Sequence, residues 1–546
     1  MSLLDALRRR KSPRGPSGVR IRLKSRKQTG SRRAGRRGMP RRLVLGLLLA
    51  AIFYVFAHYS IIAGVWPAHG TSAGAGGLLI RDAIALVAWL AIFPALSLLG
   101  YRGAWTVVAL PAIIFLLTRP SLFQLFSDPV YQARSTARVE ANTLKAERAR
   151  LTTILDGYSA DRLAIVFEDE PPRISEPFEA IRAATARERS SPLRLGSAFS
   201  VILAPLAIVL SFLFVRRQGV LRWLRDNRRI PFAAIVGMFF VLALFFVELG
   251  RVGGTTPWEL FLPVFILVWA AVLADDVYNL ARPDAMMSPR RLVGFLVYGA
   301  LPLVPFLIIR ELGLSVVLAG SLATMLLVST RRKWWAGLML VVWVGLVVAA
   351  FNLDPRSANR LQLMLNPYRD LSTMTEEEGA SWAARMHQFK LFDANVLAGG
   401  VLGAGAGRGH AETAPNAADD GYITTIAAQW GLAGALTIVL LYTVLIIEIL
   451  GVAVKERSAF ERSLIAGLGM LLAIPFWMAA LGGIRAVPLT GVATAFAANG
   501  GAKLLASSVV IGMIAAVSHR RTEADRLAAS VDALHASSQE QGIRIR

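Results

Sequence analysis

Residues 423–448, ITTIAAQWGLAGALTIVLLYTVLIIE, carry a single charge, at their last position. An α-helix rises about 1.5 Å per residue and the hydrocarbon core of a bilayer is about 30 Å thick, so about 20 apolar residues are enough to cross it. This stretch is therefore predicted to be a transmembrane helix. The chain of 546 residues is 55% hydrophobic with a mean hydropathy of +0.52, which indicates an integral membrane protein.

Twelve apolar runs of this kind predict an all-α polytopic membrane protein. The seventh and eighth runs are separated only by Arg310 and Glu311 and fit either a tight hairpin or one kinked helix. The third is short, and its end is predicted before Arg119 and Pro120. The runs cover residues 43–63, 79–99, 104–118, 196–215, 231–249, 257–276, 292–310, 311–329, 334–351, 423–448, 462–481 and 501–518.

The segments between the runs predict the orientation. With twelve spans, the loops on the amino-terminal side, such as 216–229 and 455–462, are rich in arginine and lysine. The positive-inside rule therefore predicts that both termini are cytoplasmic.

Five regions follow from this topology. The formal net charge is +24, and much of the excess lies in a basic cytoplasmic arm, 1–42. We expect this arm to set topology and touch anionic lipid rather than nucleic acid, because no aromatic residues interleave its arginines. The predicted regions are the arm 1–42, amino-terminal spans 43–118, an extracytoplasmic helical module 119–195 with an amphipathic helix over 131–155, a membrane core 196–518 with a large extracytoplasmic loop 352–422 between the ninth and tenth spans, and a cytoplasmic tail 519–546.

The outer loop contains a glycine-rich stretch, VLAGGVLGAGAGRGH (396–410). It lacks the lysine of a phosphate-binding loop, so a nucleotide site is not indicated. It fits either a flexible outer loop or a backbone that approaches a ligand closely. Arg360, Arg385 and Lys390 in the same loop are predicted to hold an anionic, membrane-borne substrate.

Asp419 and Asp420 lie just before the run 423–448. An aspartate near a helix start can cap free N–H groups, and we favour this interpretation for Asp419. A carboxylate can also act as a general base. The chain has no cysteine and only six histidines, none at the helical spacing of two metal ligands, so acid–base chemistry would fall to carboxylates.

Five stretches in order resemble the SEDS family (shape, elongation, division and sporulation), which includes FtsW and RodA. The resemblance covers roughly residues 196–518. If the third run is counted as the first, the last ten runs reproduce the family's ten-helix arrangement, and the first two runs are extra amino-terminal spans. The stretches are GRVGGTTPWELFLP (250–263), FLIIRELGLSVVLAG (306–320), RLQLMLNP (360–367) with HQFKLFDANVLAGGVLGAGAG (387–407), DDGYITTIAAQWG (419–431) and VPLTGVATAFAANGGAKLL (487–505).

The resemblance assigns expected roles residue by residue. Asp420 aligns with the aspartate on which polymerase activity depends in that family, and Arg360 is the cation with the best match. Glu259 and Glu311 are expected to be structural polar residues in the membrane, Glu311 in place of an aspartate. Leu262 stands where a lysine is usual. The other positions that the resemblance makes expected substrate-binding residues are Gln388, Gly399, Gly400, Thr490 and Gly491, whereas Arg385 and Lys390 are expected there because of their positive charge in the outer loop.

The resemblance implies a peptidoglycan glycosyltransferase that polymerises lipid II at the outer face of the bacterial cytoplasmic membrane. A divalent cation, Mg²⁺ or Mn²⁺, is an expected cofactor, and a class B penicillin-binding transpeptidase and membrane lipids are expected partners. The substrate would be an undecaprenyl-linked disaccharide. Two alternatives remain open at this point: a flippase for a lipid-linked precursor, and an inactive scaffold of the cell-wall machinery.

Overall fold

The computed structural model describes residues 39–71, 75–129, 192–249, 258–280, 289, 293–294, 296–308, 312–353, 375–409, 411, 414, 417–419, 421–487 and 491–540. Every regular element in these ranges is helical, because a backbone inside a bilayer must satisfy its N–H and C=O groups internally. The α-helices are α1 Arg41–Ser60, α2 Ala75–Leu98, α3 Trp105–Ser127, α4 Pro192–Arg216, α5 Gln218–Asp226, α6 Arg229–Leu249, α7 Trp258–Leu280, α8 Val304–Ile308, α9 Leu312–Thr330, α10 Lys333–Leu353, α11 Glu376–Gly399, α12 Tyr422–Lys455, α13 Ala459–Gly483 and α14 Gly501–Glu540, with a further turn, Trp66–His69, continuing α1.

Eight helices in the described part of the chain are long and apolar enough to cross a membrane. Four shorter apolar helices lie where the other predicted spans fall: Arg229–Ala243, Trp258–Ala274, Val297–Phe306 and Lys333–Val348. The polytopic all-α class is confirmed, and the number twelve remains a prediction. The seventh predicted span is irregular, with a π turn and a 3₁₀ turn before α8, since Pro302 and Pro305 lack backbone N–H donors.

Helix α3 is central and α1 and α2 are peripheral. Of the residues in the apolar stretch of each helix, 89% are buried in α3, against 33% in α1 and 28% in α2. Helix α3 contacts α1, α2, α12 and α14. A helix that is apolar all round is typical of an interior position, whereas the exposed leucines of α1 face the surroundings. The first two spans, α1 and α2, therefore pack on the outside of α3. We call them the added helices, because the resemblance places them outside the ten-helix arrangement.

The predicted end of the third span before Arg119 is wrong, whereas the start of the outer module at residue 119 remains a prediction. Helix α3 continues through Arg119 and Pro120 to Ser127. Proline is tolerated in a membrane helix where neighbours satisfy the freed backbone groups. Arg119 is tolerated because it forms an ion pair with Asp82 of α2. Residues 130–191, which include the predicted helix 131–155, lie outside the described part.

Contacts between residues far apart in sequence show which loops lie together at each end of the helices. At one end, the N–H of Asn499 donates to the carbonyl of Ala418 (2.7 Å). At the other, the N–H of Arg102 donates to Nδ1 of His519 (3.1 Å). We call these the site end and the far end. The loops that meet at each end are loops that the sequence predicts on the same side of the membrane.

The predicted tail 519–546 does not begin at a break in the structure. Helix α14 runs without interruption from Gly501 to Glu540, a length of about 60 Å at 1.5 Å per residue. Its far-end part is tied to the core by Arg520, whose guanidinium lies 2.8 Å from the carboxylate of Glu461. Residues 519–540 therefore continue the last predicted span as one helix. The basic arm, residues 1–38 of it, lies outside the described part.

The far-end connection between α12 and α13 contains Glu456, which is 5% exposed. Burial raises the pKa of its carboxyl to about 7, and Glu461 acts in the same direction. Arg521 and Arg520 lower this pKa, and Asp525 raises it. The folded chain therefore holds a proton here at pH values where an unfolded chain, with an ordinary pKa of 4.5, has released it.

We expect Glu456→Gln to change how stability depends on pH. Because the folded-state pKa is raised, this group's stabilisation is fully present below about pH 4.5, falls as the pH rises towards about 7, and stays lost above it. The variant and the wild type should melt at similar temperatures at pH 5, and the variant should melt higher at pH 8. Asp226→Asn, at an exposed carboxylate outside this cluster, is the control. Parallel curves for wild type and Glu456→Gln would contradict the assignment.

Candidate functional site

Helix α12 is broken at Gly431, where φ is 67° and ψ is −173°. Such a break leaves N–H and C=O groups on both sides without helical partners. The glycine-rich strip, which we define as residues 399–409, supplies them. The backbone hydrogen bonds run from the N–H of Ala404 to Ala428 (3.0 Å), of Gly405 to Gln429 (2.9 Å), of Leu432 to Gly400 (2.9 Å) and of Ala433 to Val401 (3.1 Å). The strip is therefore a structured element paired with a broken helix, not a flexible loop.

The absence of side chains lets the strip approach α12. A Cβ on Gly399 would overlap the carbonyl oxygen of Ala427, and a Cβ on Gly403 would overlap that of Gln429. Gly400 is exposed, with φ of 53° and open space where a Cβ would lie. Packing thus accounts for glycine at 399, and the contact of Gly399 and Gly400 with substrate remains a prediction.

A second element of the site is the signature loop, which we define as residues 491–500. Tyr442 of α12 donates a hydrogen bond to the carbonyl of Ala495, and Thr118 of α3 donates to the carbonyl of Phe496 (3.1 Å). Its Asn499 N–H reaches Ala418 (2.7 Å). The loop therefore joins α3, α12 and the turn before α12.

The turn before α12 contains Asp420, which itself lies outside the described residues. On one side of it, the carbonyl of Ala418 accepts the bond from Asn499, and that of Ala417 accepts one from Thr425 (2.7 Å). On the other side, Gly421 is the N-cap residue of α12. Asp419 is therefore not at the N-cap position. A tertiary hydrogen bond therefore holds the chain two residues before Asp420, and the first turn of α12 begins directly after it.

The site end of α3 adds polar side chains that the sequence analysis had assigned to the outer module. Trp430 Nε1 donates to Ser121 Oγ (2.9 Å) and Gln429 Nε2 donates to Gln124 Oε1 (2.9 Å). These bonds hold the last turn of α12 before its break. A signal for them existed in the sequence, because polar residues recur at helical spacing over 118–127 directly after an apolar run.

Two buried charges of opposite sign lie on the first turns of α7 and α14. Glu259 is 8% exposed and Lys503 is 4% exposed, and their charges interact. The burial of Glu259 agrees with the expected structural role, which remains a prediction. Lys503 is not among the predicted site residues, although it is the one lysine, arginine, aspartate or glutamate between Arg485 and Arg520.

Of the other predicted site residues, the structure describes some in full, some only in their backbone and some not at all. Lys390 is exposed on α11, one turn before Asp393, whose carboxylate lies 2.9 Å from the guanidinium of Arg485. Gly491 is exposed with φ of 72°. Arg385 and Gln388 lie on α11, but their side chains are outside the described part. Arg360, Glu311, Thr490 and Asp420 lie outside the described residues altogether.

The expected divalent cation has no group of ligands among the described residues. Across these ranges, no three His, Asp or Glu side chains are close enough to hold a metal ion. Asp420 lies outside these ranges. A Mg²⁺ or Mn²⁺ ion at this site therefore remains a prediction.

Comparison with known proteins identifies the family. A family model described as "Cell cycle protein" and built on FtsW, RodA and SpoVE matches residues 243–523, more than half of the chain. The chain belongs to the FtsW/RodA/SpoVE family. The resemblance to SEDS proteins is thereby confirmed, and the match includes α7 to α13, the glycine-rich strip, the signature loop and the first part of α14.

Several relatives of this FtsW/RodA/SpoVE member are named after an activity. "Peptidoglycan glycosyltransferase RodA" of Mycobacterium tuberculosis (strain ATCC 25618 / H37Rv) is 30% identical over 210 residues, which cover 38% of this chain and 42% of that protein. "Probable peptidoglycan glycosyltransferase FtsW" of Geobacter metallireducens is 24% identical over 335 residues, 57% of this chain and 86% of the relative. The chain thus spans less than half the length of the RodA proteins it matches.

Solved structures give weaker similarity. A chain of a peptidoglycan synthase complex is 18% identical with a TM-score of 0.44, covering 61% of this chain and 91% of that one. The Thermus thermophilus rod shape determining protein RodA is 16% identical with a TM-score of 0.33, covering 58% and 95%.

Proposed function

We propose that this member of the FtsW/RodA/SpoVE family is a peptidoglycan glycosyltransferase that polymerises lipid II in cell division or elongation. Family membership and the names of its relatives support this activity. The structural observation that carries it is the 2.7 Å hydrogen bond from Asn499 to Ala418. That bond joins the signature loop to the turn that contains Asp420, the aspartate aligned with the one required in the family.

In this mechanism Asp420 is the general base. Its carboxylate takes the proton of the acceptor sugar hydroxyl while that oxygen bonds to the anomeric carbon of the donor. The bond from the anomeric carbon to the lipid diphosphate breaks, and the diphosphate leaves with the electron pair. Its negative charge then needs cations. Arg360, Arg385 and Lys390 are the predicted ones.

Two further features are proposed for the reacting complex. Buried Lys503 adds a positive charge near the signature loop, and a divalent cation would stabilise the leaving diphosphate if one binds beside Asp420. A class B penicillin-binding transpeptidase is proposed as the partner that crosslinks the product, and the lipid chains would lie between the spans.

The purified protein in lipid vesicles with labelled lipid II tests this function. We expect a glycan polymer that lengthens with time and disappears on digestion with a muramidase. Movement of labelled lipid II across the vesicle membrane without polymer would indicate a flippase instead. If neither occurs with a purified class B transpeptidase added, the chain is a scaffold.

The proposed site lies at the outer face of the bacterial inner membrane, with both termini cytoplasmic. This orientation follows from the basic far-end loops under the positive-inside rule. A reporter fused after residue 400 should be extracytoplasmic, and one fused after residue 455 should be cytoplasmic. A cytoplasmic signal from the fusion at 400 would place the chemistry on the wrong side for peptidoglycan polymerisation.

A further inference from the structure

A cluster of charged residues is buried between the two added helices and α3. Asp82 of α2 is fully buried and accepts two hydrogen bonds from Arg119 of α3, from Nε (3.0 Å) and from Nη2 (2.9 Å). Nε of Arg81 also donates to Asp82 (3.1 Å), and Nε2 of His58 lies 3.5 Å from it. The hydroxyl of Tyr54 donates to the Asp82 carbonyl (2.8 Å). One carboxylate thus holds two guanidinium groups.

A gain in folding stability does not explain why these charged residues are buried together. Removing charges from water offsets most of the attraction between them, so a buried ion pair is seldom more stabilising than apolar residues of the same size. A bidentate arginine–carboxylate pair does fix geometry, because two parallel hydrogen bonds set both distance and orientation. Ionisable residues inside membrane segments mark function more often than packing. The ion pair between Asp82 and Arg119 therefore indicates that α2 and α3 must be held in a fixed relative position.

The residue before Arg119 on α3 shows which part of the site the ion pair positions. Thr118 donates to the carbonyl of Phe496 in the signature loop (3.1 Å). The added helix α2 reaches the same residue, because the rings of Trp89 and Phe496 meet edge to face with centroids 6.0 Å apart. Trp89 in turn stacks on Phe115 of α3 (4.6 Å). Helices α2 and α3 thus hold Phe496 together.

Phe496 needs to be held. Its φ is 62°, in the left-handed region that residues with a Cβ rarely occupy. Conformations of this kind persist only where the surrounding structure imposes them, and they cluster at functional sites. Three residues further on, Asn499 makes the bond to Ala418 beside Asp420. The strained residue is therefore the link between the added helices and the turn with the proposed base.

We propose that Asp82 and Arg119 are positioning residues for polymerisation: the added helix α2 fixes α3 through this ion pair, and α3 fixes the signature loop and the turn that contains Asp420. This inference rests on the proposed function for its kinetic consequence, but not for its structural one. It gives the added amino-terminal helices an indirect part in the reaction, because Arg119 acts through the signature loop and not by contact with the reacting atoms.

Arg119→Gln and Arg81→Gln provide a matched pair of variants. Each removes one guanidinium from the same carboxylate, but only Arg119 lies on the helix that bonds the signature loop. We expect Arg119→Gln to lower kcat on the order of 10²-fold, as a displaced catalytic group does, with KM for lipid II nearly unchanged. Arg81→Gln should keep the kcat of the wild type. Glu461→Gln, which removes an ion pair at the far end, controls for general loss of a salt bridge.

Hydrogen exchange followed by mass spectrometry tests the positioning without any catalysis. Peptides covering 491–500 and 417–424 should exchange faster in Arg119→Gln than in wild type, and at the wild-type rate in Arg81→Gln. If wild-type protein makes no polymer, the proposed function fails while this measurement still decides the positioning.

Three results would overturn the proposal. One is unchanged exchange over both peptides in Arg119→Gln. Another is a rise in KM with unchanged kcat, which would mean that Arg119 binds substrate directly. The third applies if Arg119→Gln does not fold. The double variant Asp82→Leu/Arg119→Leu then removes both charges and the hydrogen bonds between the two helices, and wild-type kcat and exchange in that variant would contradict the positioning role.

Discussion

Asp420→Asn is expected to abolish glycan polymerisation. Asparagine keeps the size of the side chain and most of its hydrogen bonding but cannot accept the proton of the attacking hydroxyl. Loss of a general base lowers the rate by about 10²- to 10⁴-fold. The rate of polymer formation from labelled lipid II, divided by the amount of folded protein in the membrane fraction, is the measurement.

Asp419→Asn is the matched control for this expectation, because it changes the neighbouring carboxylate in the same way. We expect it to weaken polymerisation only modestly. Asp419 is neither the N-cap residue of α12 nor the aspartate aligned with the family's required one, so its replacement should leave the rate per folded molecule nearly intact. Equal and modest losses in both variants would mean that neither aspartate is the base, and the proposed enzyme would then lack its main residue.

Gly431→Ala is expected to disrupt the site end as a whole. With φ of 67° and ψ of −173°, residue 431 occupies a region that is nearly restricted to glycine, where another residue is strained by about 1–3 kcal/mol. A Cβ there would also overlap the backbone of Val401 and Gly403. The strip must then separate from α12 and lose its hydrogen bonds. We expect a clearly lower melting temperature in detergent and no measurable polymerisation.

Gly100→Ala isolates the cost of the backbone conformation. Gly100 has a φ of 73° at the far end, with nothing within 4 Å of the position a Cβ would take. It should lower the melting temperature slightly and keep polymerase activity. If Gly431→Ala behaved like Gly100→Ala in both measurements, the close pairing of the glycine-rich strip with α12 would not exist in solution.

The sequence predicted the helices well because the requirement for a membrane span is local. About 20 apolar residues in a row suffice, whatever surrounds them, and each predicted run overlaps an apolar helix. The prediction failed at Arg119, where a charge next to a proline predicted the end of the span. Its partner Asp82 is 37 residues away, so no local pattern could show that the charge is neutralised.

The sequence by itself determined the class of the protein, the positions of its apolar helices and, through ordered motifs, its family and Asp420 as the residue to test. Only the tertiary structure decided that the glycine-rich stretch pairs with a broken helix and that Phe496 is held in a strained conformation. Only the tertiary structure also decided that an ion pair joins an added helix to α3, the helix that bonds Phe496. The physical reason is distance along the chain. Hydropathy and turn chemistry act between near neighbours, whereas Ala404 with Ala428 and Asn499 with Ala418 are hydrogen-bonded pairs that exist only once the helices have packed.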